Sequence, residues 1–250
     1  MCDIVDKFNS KVVVTTPTYN RRHFLPLLIY QFNYQDYPKE LLSLIILDDS
    51  DESNEDIIEL LSDTRVTYIY CNEKKTIGEK RNILNRLALE KNANYIVCFD
   101  DDDYYPNDKI SYSVKALEDT GYDIGGTSKL LIYDIINKDL YESISLVNRV
   151  FPGHASNGTL IFSRKYAELN SYDDNAKYNE EKHFLRNYKV HLLQLDYLKT
   201  IICISHDNNT IDKHKLNLIR HDKSIDKYIT DRYLLSFYNN YKTVNLYLKN

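Results

Sequence analysis

The sequence predicts an α/β fold in which a mostly parallel, Rossmann-like central sheet is flanked by helices. Short apolar, β-branched runs alternate four times with helix-like segments in the first half of the chain. Pro17 ends the first of these runs, and Gly121 ends the fourth helical segment. At 250 residues, of which 43% are hydrophobic, the chain can bury the core of one large α/β domain.

Four successive strand–helix units are predicted between residues 11 and 121. Their strands are Lys11–Thr16, Leu42–Leu47, Val66–Tyr70 and Tyr95–Phe99. Their helices are predicted at Arg22–Phe32, from a cap at Asn54 to Leu61, at Glu79–Leu89, and between Pro106 and Gly121. Repeated units of this kind predict one doubly wound sheet.

The second half of the chain is less regular. We predict a strand or hairpin over Asp123–Asp134, strands over Thr159–Phe162 and Thr200–Ile204, and a helix over Lys177–Asn187. From about Lys213 onward, apolar residues recur at helical spacing, at Ile225, Ile229, Leu234 and Tyr238. We therefore divide the chain into a catalytic domain over residues 1–212, with halves at about 1–122 and 123–212, and a helical C-terminal extension over 213–250.

Composition and segment patterns argue against some partners and lead to an expected location. The net charge is −5 and there is no Lys/Arg-rich run, which argues against a nucleic-acid partner. The cysteines have no metal-binding or disulfide spacing, so we expect reduced thiols in an intracellular protein. They are Cys2, Cys71, Cys98 and Cys203. Without a signal segment or a run of about 18 apolar residues, we expect no transmembrane segment and a cytoplasmic location, either free or peripheral to a membrane.

Acidic residues cluster directly after two predicted strands. Asp48–Ser53 follows the second strand, and Asp100–Asp103 follows the fourth. Ligands of open α/β sheets bind at these carboxyl ends of the strands. Consecutive carboxylates repel one another unless a cation lies among them, and their oxygens suit Mg²⁺ or Mn²⁺. We predict a divalent metal that bridges a diphosphate; the alternative is a solvated acidic turn or a helix N-terminal charge cluster.

Four motifs, in order, resemble those of the family 2 glycosyltransferases of the GT-A fold. They are Thr16–Arg21 (TPTYNR), Leu47–Ser53 (LDDSDES), Ile77–Asn82 (IGEKRN) and Phe99–Asp103 (FDDDD). The resemblance covers roughly residues 11–210 in order and spacing. It implies a GT-A fold and a metal-dependent, inverting enzyme that moves a hexosyl or N-acetylhexosaminyl group from a nucleotide sugar to a hydroxyl acceptor.

The resemblance also implies the donor-binding residues. Tyr19 is expected to stack near the base, and Asp49 to accept the imide N–H of uracil, which favours a UDP-sugar. Arg81 or Lys80 is expected against the base or the diphosphate. The full predicted donor set is Pro17, Tyr19, Asn20, Arg21, Asp49, Gly78, Lys80, Arg81, Asp100 and Asp101.

The metal ligands implied by the resemblance are Asp102, Asp100 and His206, with Asp100 and Asp101 toward the ribose. An imidazole nitrogen suits Mn²⁺ better than Mg²⁺. The metal would stabilise the charge on the departing diphosphate. The register within the four aspartates stays open, because two residues precede Pro106 where many relatives have three.

The acceptor side is predicted in the second half of the chain. The loop Gly153–Thr159 precedes a strand, as the family's acceptor-side loop does, and its predicted acceptor-side residues are His154, Asn157 and Gly158. Glycines there would allow backbone N–H groups to approach a sugar or phosphate. The alternative is an ordinary turn.

The predicted catalytic residues are Glu181 and Glu180. They resemble the family's acidic pair, whose second member is the catalytic base, although Glu181 stands where Asp is usual. A carboxylate must take the proton of the attacking hydroxyl, and two adjacent acids raise each other's pKa. The alternative is an acidic pair that only stabilises a helix N-terminus.

Two other functions remain open at this point. A sugar-nucleotide pyrophosphorylase would carry a Gly-rich loop after the first strand, where this chain has Pro17–Arg21. A nucleotide-sugar-binding protein without turnover is compatible with the altered base position at Glu181. The acceptor, which could be a glycan, a lipid-linked sugar or a protein, is not indicated, nor is the oligomeric state.

Overall fold

The computed structural model describes residues 8–207, 209 and 218–241. In this part of the chain the strands are β1 (Val12–Thr18), β2 (Leu42–Asp48), β3 (Val66–Tyr70), β4 (Tyr95–Cys98), β5 (Ile124–Gly126), β6 (Leu131–Asp134), β7 (Asp139–Ser143), β8 (Ile161–Ser163), β9 (Leu193–Gln194), β10 (Ile202–Ser205) and β11 (Leu218–Arg220). The α-helices are α1 (Leu25–Tyr34), α2 (Glu55–Leu61), α3 (Ile77–Glu90), α4 (Lys109–Thr120), α5 (Arg164–Leu169), α6 (Glu181–Phe184) and α7 (Arg232–Asn239). Shorter 3-10 turns lie between them.

The central sheet has seven strands in the order β3-β2-β1-β4-β8-β5-β9. Its first four strands are parallel, β8 is antiparallel to both neighbours, and β9 is parallel to β5. Every residue of β1 is buried. Because helices cover both faces of a parallel sheet, its strands are continuous apolar runs, which is why they could be predicted from sequence. The predicted α/β fold is confirmed.

The helices of the first half lie close to their predicted positions, but one predicted cap is wrong. Asn54 occupies the N-cap position of α2 without a side-chain capping bond. Its Nδ2 instead donates to Asp48 Oδ2 at 2.7 Å. Helix α3 begins at Ile77, earlier than predicted, because Thr76 Oγ1 accepts the Glu79 N–H at 3.1 Å.

Predictions for the second half were less accurate. The predicted helix Lys177–Asn187 is wrong except for the single turn of α6. Asn179, Arg186 and Asn187 have φ of 50°, 51° and 55°, which a continuous helix cannot contain. The segment predicted as a strand or hairpin over Asp123–Asp134 forms β5 and β6, which belong to different sheets.

Four further elements of the second half depart from the predictions. Residues Asn157–Thr159 form a 3-10 turn, so the strand predicted from Thr159 begins at Ile161. Helix α5 and strands β7 and β9 had not been predicted.

A second sheet has the order β10-β6-β7-β11. One face packs into the main core through Leu130, Ile132 and Cys203. The other face packs on α1 and α7, and this cluster includes Leu131, Tyr133, Ile204, Phe24, Leu27, Leu234 and Tyr238. The second sheet therefore connects the central sheet to the C-terminal helix.

The described part of the predicted extension contains a strand as well as a helix. Of the four residues at helical spacing, Leu234 and Tyr238 lie in α7, whereas Ile225 begins a 3-10 turn and Ile229 follows it. All four are buried. The predicted start of the extension at Lys213 and the cysteine Cys2 lie outside the described residues, and the predicted domain boundaries stay a prediction.

Among the described residues, no helix combines the length and the apolar character that crossing a membrane requires.

Candidate functional site

The carboxyl ends of β1, β2 and β4 meet at one edge of the central sheet, where the acidic motifs lie. Thr18 Oγ1, at the end of β1, donates to Asp101 Oδ2 at 2.6 Å. Arg21 Nη1 lies 2.7 Å from Asp101 Oδ1 and 2.8 Å from Asp102 Oδ2. The segment after β1 therefore neutralises part of the four-aspartate turn after β4.

The four aspartates have different surroundings. Asp101, Asp102 and Asp103 are buried, which contradicts the alternative of a solvated acidic turn. Burial raises the pKa of Asp101, while the Arg21 guanidinium lowers it. Asp103 Oδ1 accepts the backbone N–H of Ile204 at 2.7 Å, so this aspartate ties the turn to β10.

Asp102 faces His206 across the gap between the two sheets. His206 Nε2 lies 2.9 Å from Asp102 Oδ2, and Asn209 Nδ2 donates to the same oxygen at 3.1 Å. The pair forms because Tyr104 and Ile202 exchange backbone hydrogen bonds of 3.0 and 2.9 Å, which brings β10 and the residues after it alongside the aspartate turn. The His206 side chain is fully buried against Phe24, with ring centroids 5.0 Å apart.

The donor set at this edge is chemically suited to a divalent metal, although it is small. Asp102 and His206 offer a carboxylate oxygen and an imidazole nitrogen, both of which Mn²⁺ accepts. Asp100 turns instead toward Arg81, whose Nη2 lies 2.6 Å from Asp100 Oδ1. In the described part of the chain, no group of three His, Cys, Asp or Glu side chains is placed to hold a metal ion.

Asp49, the predicted partner of the base, already has donors on both oxygens. Lys80 Nζ donates to Asp49 Oδ1 at 2.7 Å and also to the Thr18 carbonyl at 3.0 Å. The Lys75 backbone N–H donates to Asp49 Oδ2 at 2.8 Å. Tyr19 is exposed nearby, with the Lys74 ammonium over its ring face. Lys74 and Lys75 were missed from sequence, although they lie in the segment between the third predicted strand, which ends at Tyr70, and the helix that follows it.

Three residues of the predicted donor set shape the backbone. Pro17 was predicted to end the first strand, but it lies within β1, opposite Leu47 of β2, and the strand continues to Thr18. Asn20 has φ of 52°, and its Nδ2 donates to Asp51 Oδ2 at 2.9 Å, which fixes the turn after β1. Gly78 is required by packing, since a Cβ there would lie 1.9 Å from the Asp173 carbonyl oxygen.

Arg81 connects the predicted donor side with the predicted acceptor side. Besides its ion pair with Asp100, its Nε lies 3.4 Å from Glu180 Oε1. One amide orientation of Asn157 satisfies all its neighbours. In this orientation Asn157 Oδ1 lies 2.9 Å from Arg81 Nη2, and Nδ2 donates to the Tyr172 hydroxyl at 2.8 Å. Burial works to lower the pKa of Arg81, but Asp100 and Glu180 raise it well above its usual value.

The two acids of the predicted catalytic pair have different partners. Glu180 is buried beside Arg81. Glu181, at the start of α6, accepts a hydrogen bond from the Tyr188 hydroxyl at 3.2 Å. Burial, followed by the charge of Glu180, raises the pKa of Glu181 to about 7. A carboxyl group with this pKa can exchange a proton near neutral pH.

The predicted acceptor loop packs directly on the aspartate turn. A Cβ at Gly158 would lie 2.7 Å from Asp100 Oδ2, so glycine allows the loop to approach this carboxylate. His154 is set further out, with Nδ1 2.8 Å from Ser128 Oγ and its ring centroid 4.6 Å from that of Tyr188. Burial lowers the pKa of His154 and so favours the neutral imidazole.

Lys109 supports this arrangement and was missed from sequence. Its Nζ is fully buried and donates to the carbonyls of Cys98 at 3.0 Å and Gly158 at 2.7 Å. It therefore joins the end of β4 to the acceptor loop. Helical spacing could have indicated that Lys109 is buried. It lies four residues before Ser113 and eight before Leu117, on the inward face of α4. Tyr188, in contrast, lies on no periodic element.

Two solved structures share this architecture. S. aureus TarS 1–349 in complex with UDP-GlcNAc matches with a TM-score of 0.62 and 17% identity, over 80% of this chain and 60% of that one. The mannosyltransferase PcManGT from Pyrobaculum calidifontis, in complex with GDP-Man and Mn²⁺, matches with a TM-score of 0.60 and 16% identity, over 80% and 57%. This chain thus spans about 60% of the TarS fragment. The GT-A fold is confirmed by these matches.

A comparison with protein families carries the assignment further. No curated protein matches this chain. A family model does match, over residues 13–143, which is more than half of the 250 residues and contains all four motifs of the first half. Since the motifs, the sheet and the family model agree, the chain belongs to glycosyl transferase family 2.

Proposed function

We propose that this protein transfers a hexosyl or N-acetylhexosaminyl group from a nucleotide sugar to a hydroxyl acceptor, with inversion and with a divalent metal. The observation that carries the proposal is the position of Arg81. This buried cation contacts Asp100 on the donor side and Glu180 of the acidic pair on the acceptor side. A donor diphosphate and an acceptor hydroxyl would then bind on either side of one fixed charge.

Asp102 and His206 are the residues that would hold the metal, with Asp100 as a third candidate. When bound, the ion would supply Lewis-acid stabilisation of the charge that develops on the leaving diphosphate. Arg81 and Arg21 add positive charge at the same edge of the sheet. Both guanidiniums are fixed by carboxylates, so little reorganisation is needed as the leaving group becomes charged.

Glu181 is the proposed general base. Its raised pKa suits a carboxylate that takes a proton from a hydroxyl group as this oxygen attacks the anomeric carbon. The hydrogen bond from Tyr188 orients the carboxylate. Glu180 is the proposed positioning residue, because it fixes Arg81 rather than carrying the proton.

We propose UDP as the nucleotide and Mn²⁺ or Mg²⁺ as the metal. The uracil imide N–H needs an acceptor. Asp49, directly after β2, can supply one if the base displaces the hydrogen bond from Lys80 or from the Lys75 backbone N–H. TarS was solved with UDP-GlcNAc, whereas PcManGT was solved with GDP-Man and Mn²⁺. The cytoplasmic location stays a prediction from the sequence.

Calorimetric titration of UDP, GDP, dTDP and CMP, each with Mn²⁺ and with EDTA, tests this proposal. We expect tight binding of UDP that EDTA abolishes. Preference for CMP would refute the role of Asp49, because cytosine has no imide N–H, whereas preference for GDP or dTDP would refute only the choice of UDP. Equal binding in EDTA would refute the metal site. Metal-dependent binding without release of UDP from any UDP-sugar would instead identify a binding protein without turnover.

A further inference from the structure

One surface beside Glu181 combines exposed apolar side chains with basic ones. We define this surface, the apolar-basic surface, by residues 143–156 and 182–195. Val150 is 62% exposed, and four more apolar side chains of the first segment are also exposed. These are Ile144, Leu146, Val147 and Phe151. Contiguous exposed apolar groups of this kind mark interaction sites.

The charge of this surface is opposite to that of the whole molecule. Neither segment contains Asp or Glu, although the chain carries a net charge of −5. The exposed cations are Arg149, Lys182, Arg186 and Lys189. Basic residues that surround exposed apolar groups favour an anionic, apolar partner.

Direct contacts join the two segments to each other and to the predicted base. The Gly153 N–H donates to the Tyr188 carbonyl at 2.8 Å, and the Phe151 ring meets the Tyr188 ring edge-on at 5.7 Å. The Tyr188 hydroxyl in turn donates to Glu181 Oε1. The surface is therefore continuous with the proposed acceptor side.

The first segment is held by polar contacts of its backbone, which leaves its apolar side chains facing solvent. The Leu146 N–H donates to Ser128 Oγ at 2.8 Å. Asn148 Oδ1 accepts the N–H groups of Val150 and Phe151 at 2.8 and 3.0 Å. The segment is shaped before any partner binds, which reduces the entropy lost on docking.

We propose that the apolar-basic surface docks on an anionic lipid bilayer. The apolar side chains would enter the interface between headgroups and acyl chains, and the cations would face the anionic headgroups. A second copy of the chain fits less well, because a two-fold interface would place these cations against one another without an acid between them. This inference goes beyond the proposed transferase function and does not depend on turnover.

Vesicle flotation tests the proposal directly on the full chain. We expect binding to vesicles that contain phosphatidylglycerol and phosphatidylcholine, and at least about tenfold weaker binding to phosphatidylcholine alone or in high salt. Equal binding to both vesicle types, or binding to neither, would overturn the proposal. Removal of Mn²⁺ and nucleotide should change nothing, so the outcome is separate from that of the transferase test.

Two variants and a matched control locate the surface. Val150→Asp and Arg149→Glu should each weaken binding to the anionic vesicles by about tenfold. Leu60→Asp changes a side chain that is 83% exposed on α2 and should bind as the wild type does. Wild-type binding by both test variants would refute the location. If the wild type formed an oligomer that Val150→Asp dissociates, and bound no vesicles, the partner of this surface would be a second copy of the chain. That result would overturn the bilayer proposal.

Discussion

Glu180 and Glu181 are neighbours in sequence with different electrostatic surroundings. Glu180 Oε1 lies 3.4 Å from the Arg81 guanidinium, whereas Glu181 has only the Tyr188 hydroxyl as a side-chain partner among the contacts described above. Their surroundings therefore separate the proposed roles of two identical groups, as happens in other carboxylate pairs. The fixed acid holds the site's cation, and the acid with a pKa near 7 is free to exchange a proton.

For Glu181 we predict a specific pH dependence. Transfer should increase as pH rises through about 7, because the base acts only when deprotonated. Glu181→Gln should lose at least ~10²-fold in kcat/KM together with this pH limb, while nucleotide binding is retained. Glu180→Gln is the matched variant and should keep the limb, moved to lower pH because the charge of Glu180 helps to raise the pKa of Glu181. If Glu180→Gln removed the pH limb and Glu181→Gln did not, the base would be Glu180.

Asp102 and Asp103 allow a test of the metal site with adjacent residues. Asp102→Ala should abolish nucleotide binding that depends on Mn²⁺, measured by calorimetry, because it removes the carboxylate that faces His206. Asp103→Asn should keep this binding, since Asp103 Oδ1 accepts the Ile204 N–H on the β10 side, and should cost about 1–3 kcal/mol of stability. Metal-dependent binding by Asp102→Ala would exclude Asp102 as a ligand.

At the level of elements, strands of the parallel half were predicted well and the region around α6 was not. A strand buried on both faces is recognisable in sequence as an apolar run, as in β1 and β2. Residues 177–187 have helical spacing, but Arg186 and Asn187 adopt left-handed conformations. Tertiary contacts decide the conformation there, such as the bond between His183 Nδ1 and the Ser171 carbonyl, and they are absent from any local pattern.

Helix α3 provides a prediction about packing. Gly78→Ala should lower the free energy of unfolding by roughly 1–3 kcal/mol, because the new Cβ would overlap the Asp173 carbonyl oxygen. Gly121→Ala is the control for backbone conformation alone, since Gly121 has φ of 74° and open space around it, and it should cost about 1 kcal/mol. Urea denaturation compares them. A Gly78 variant as stable as the wild type would show that residues 173–176 move without cost.

For the whole molecule, we expect the second sheet to make the central sheet and α7 unfold together. Its two faces belong to the main core and to the cluster around α7. Leu234→Ala should therefore lower stability by about 2–5 kcal/mol while unfolding stays a single transition. Leu235→Ala, on the same helix but only partly buried, should cost less. Two separate transitions, detected by thermal scans with two probes, would contradict this coupling.

At this scale the sequence predicted which residues meet at the proposed donor edge better than which residues meet on the proposed acceptor side. The donor motifs each follow a strand, and adjacent parallel strands bring their ends together by geometry. The contacts of Arg81 with Asn157 and Glu180 join residues far apart in the chain, in regions without regular elements. Such contacts depend on how the second half folds back over the sheet, which no short pattern encodes.

Buried Lys109 makes folding a proton-releasing reaction. Burial lowers its pKa from 10.5 to about 7, so between these values the unfolded chain holds a proton that the folded protein lacks. Its contribution to stability is thus complete above pH 10.5 and declines as pH falls toward 7. Lys109→Met should flatten this rise of stability with pH, measured by urea denaturation at several pH values. If the free energy of unfolding of the variant rose with pH as steeply as that of the wild type, another group would be releasing the proton. The lysine that joins β4 to the acceptor loop would then make the architecture of the site firmer in mildly alkaline solution than at neutrality.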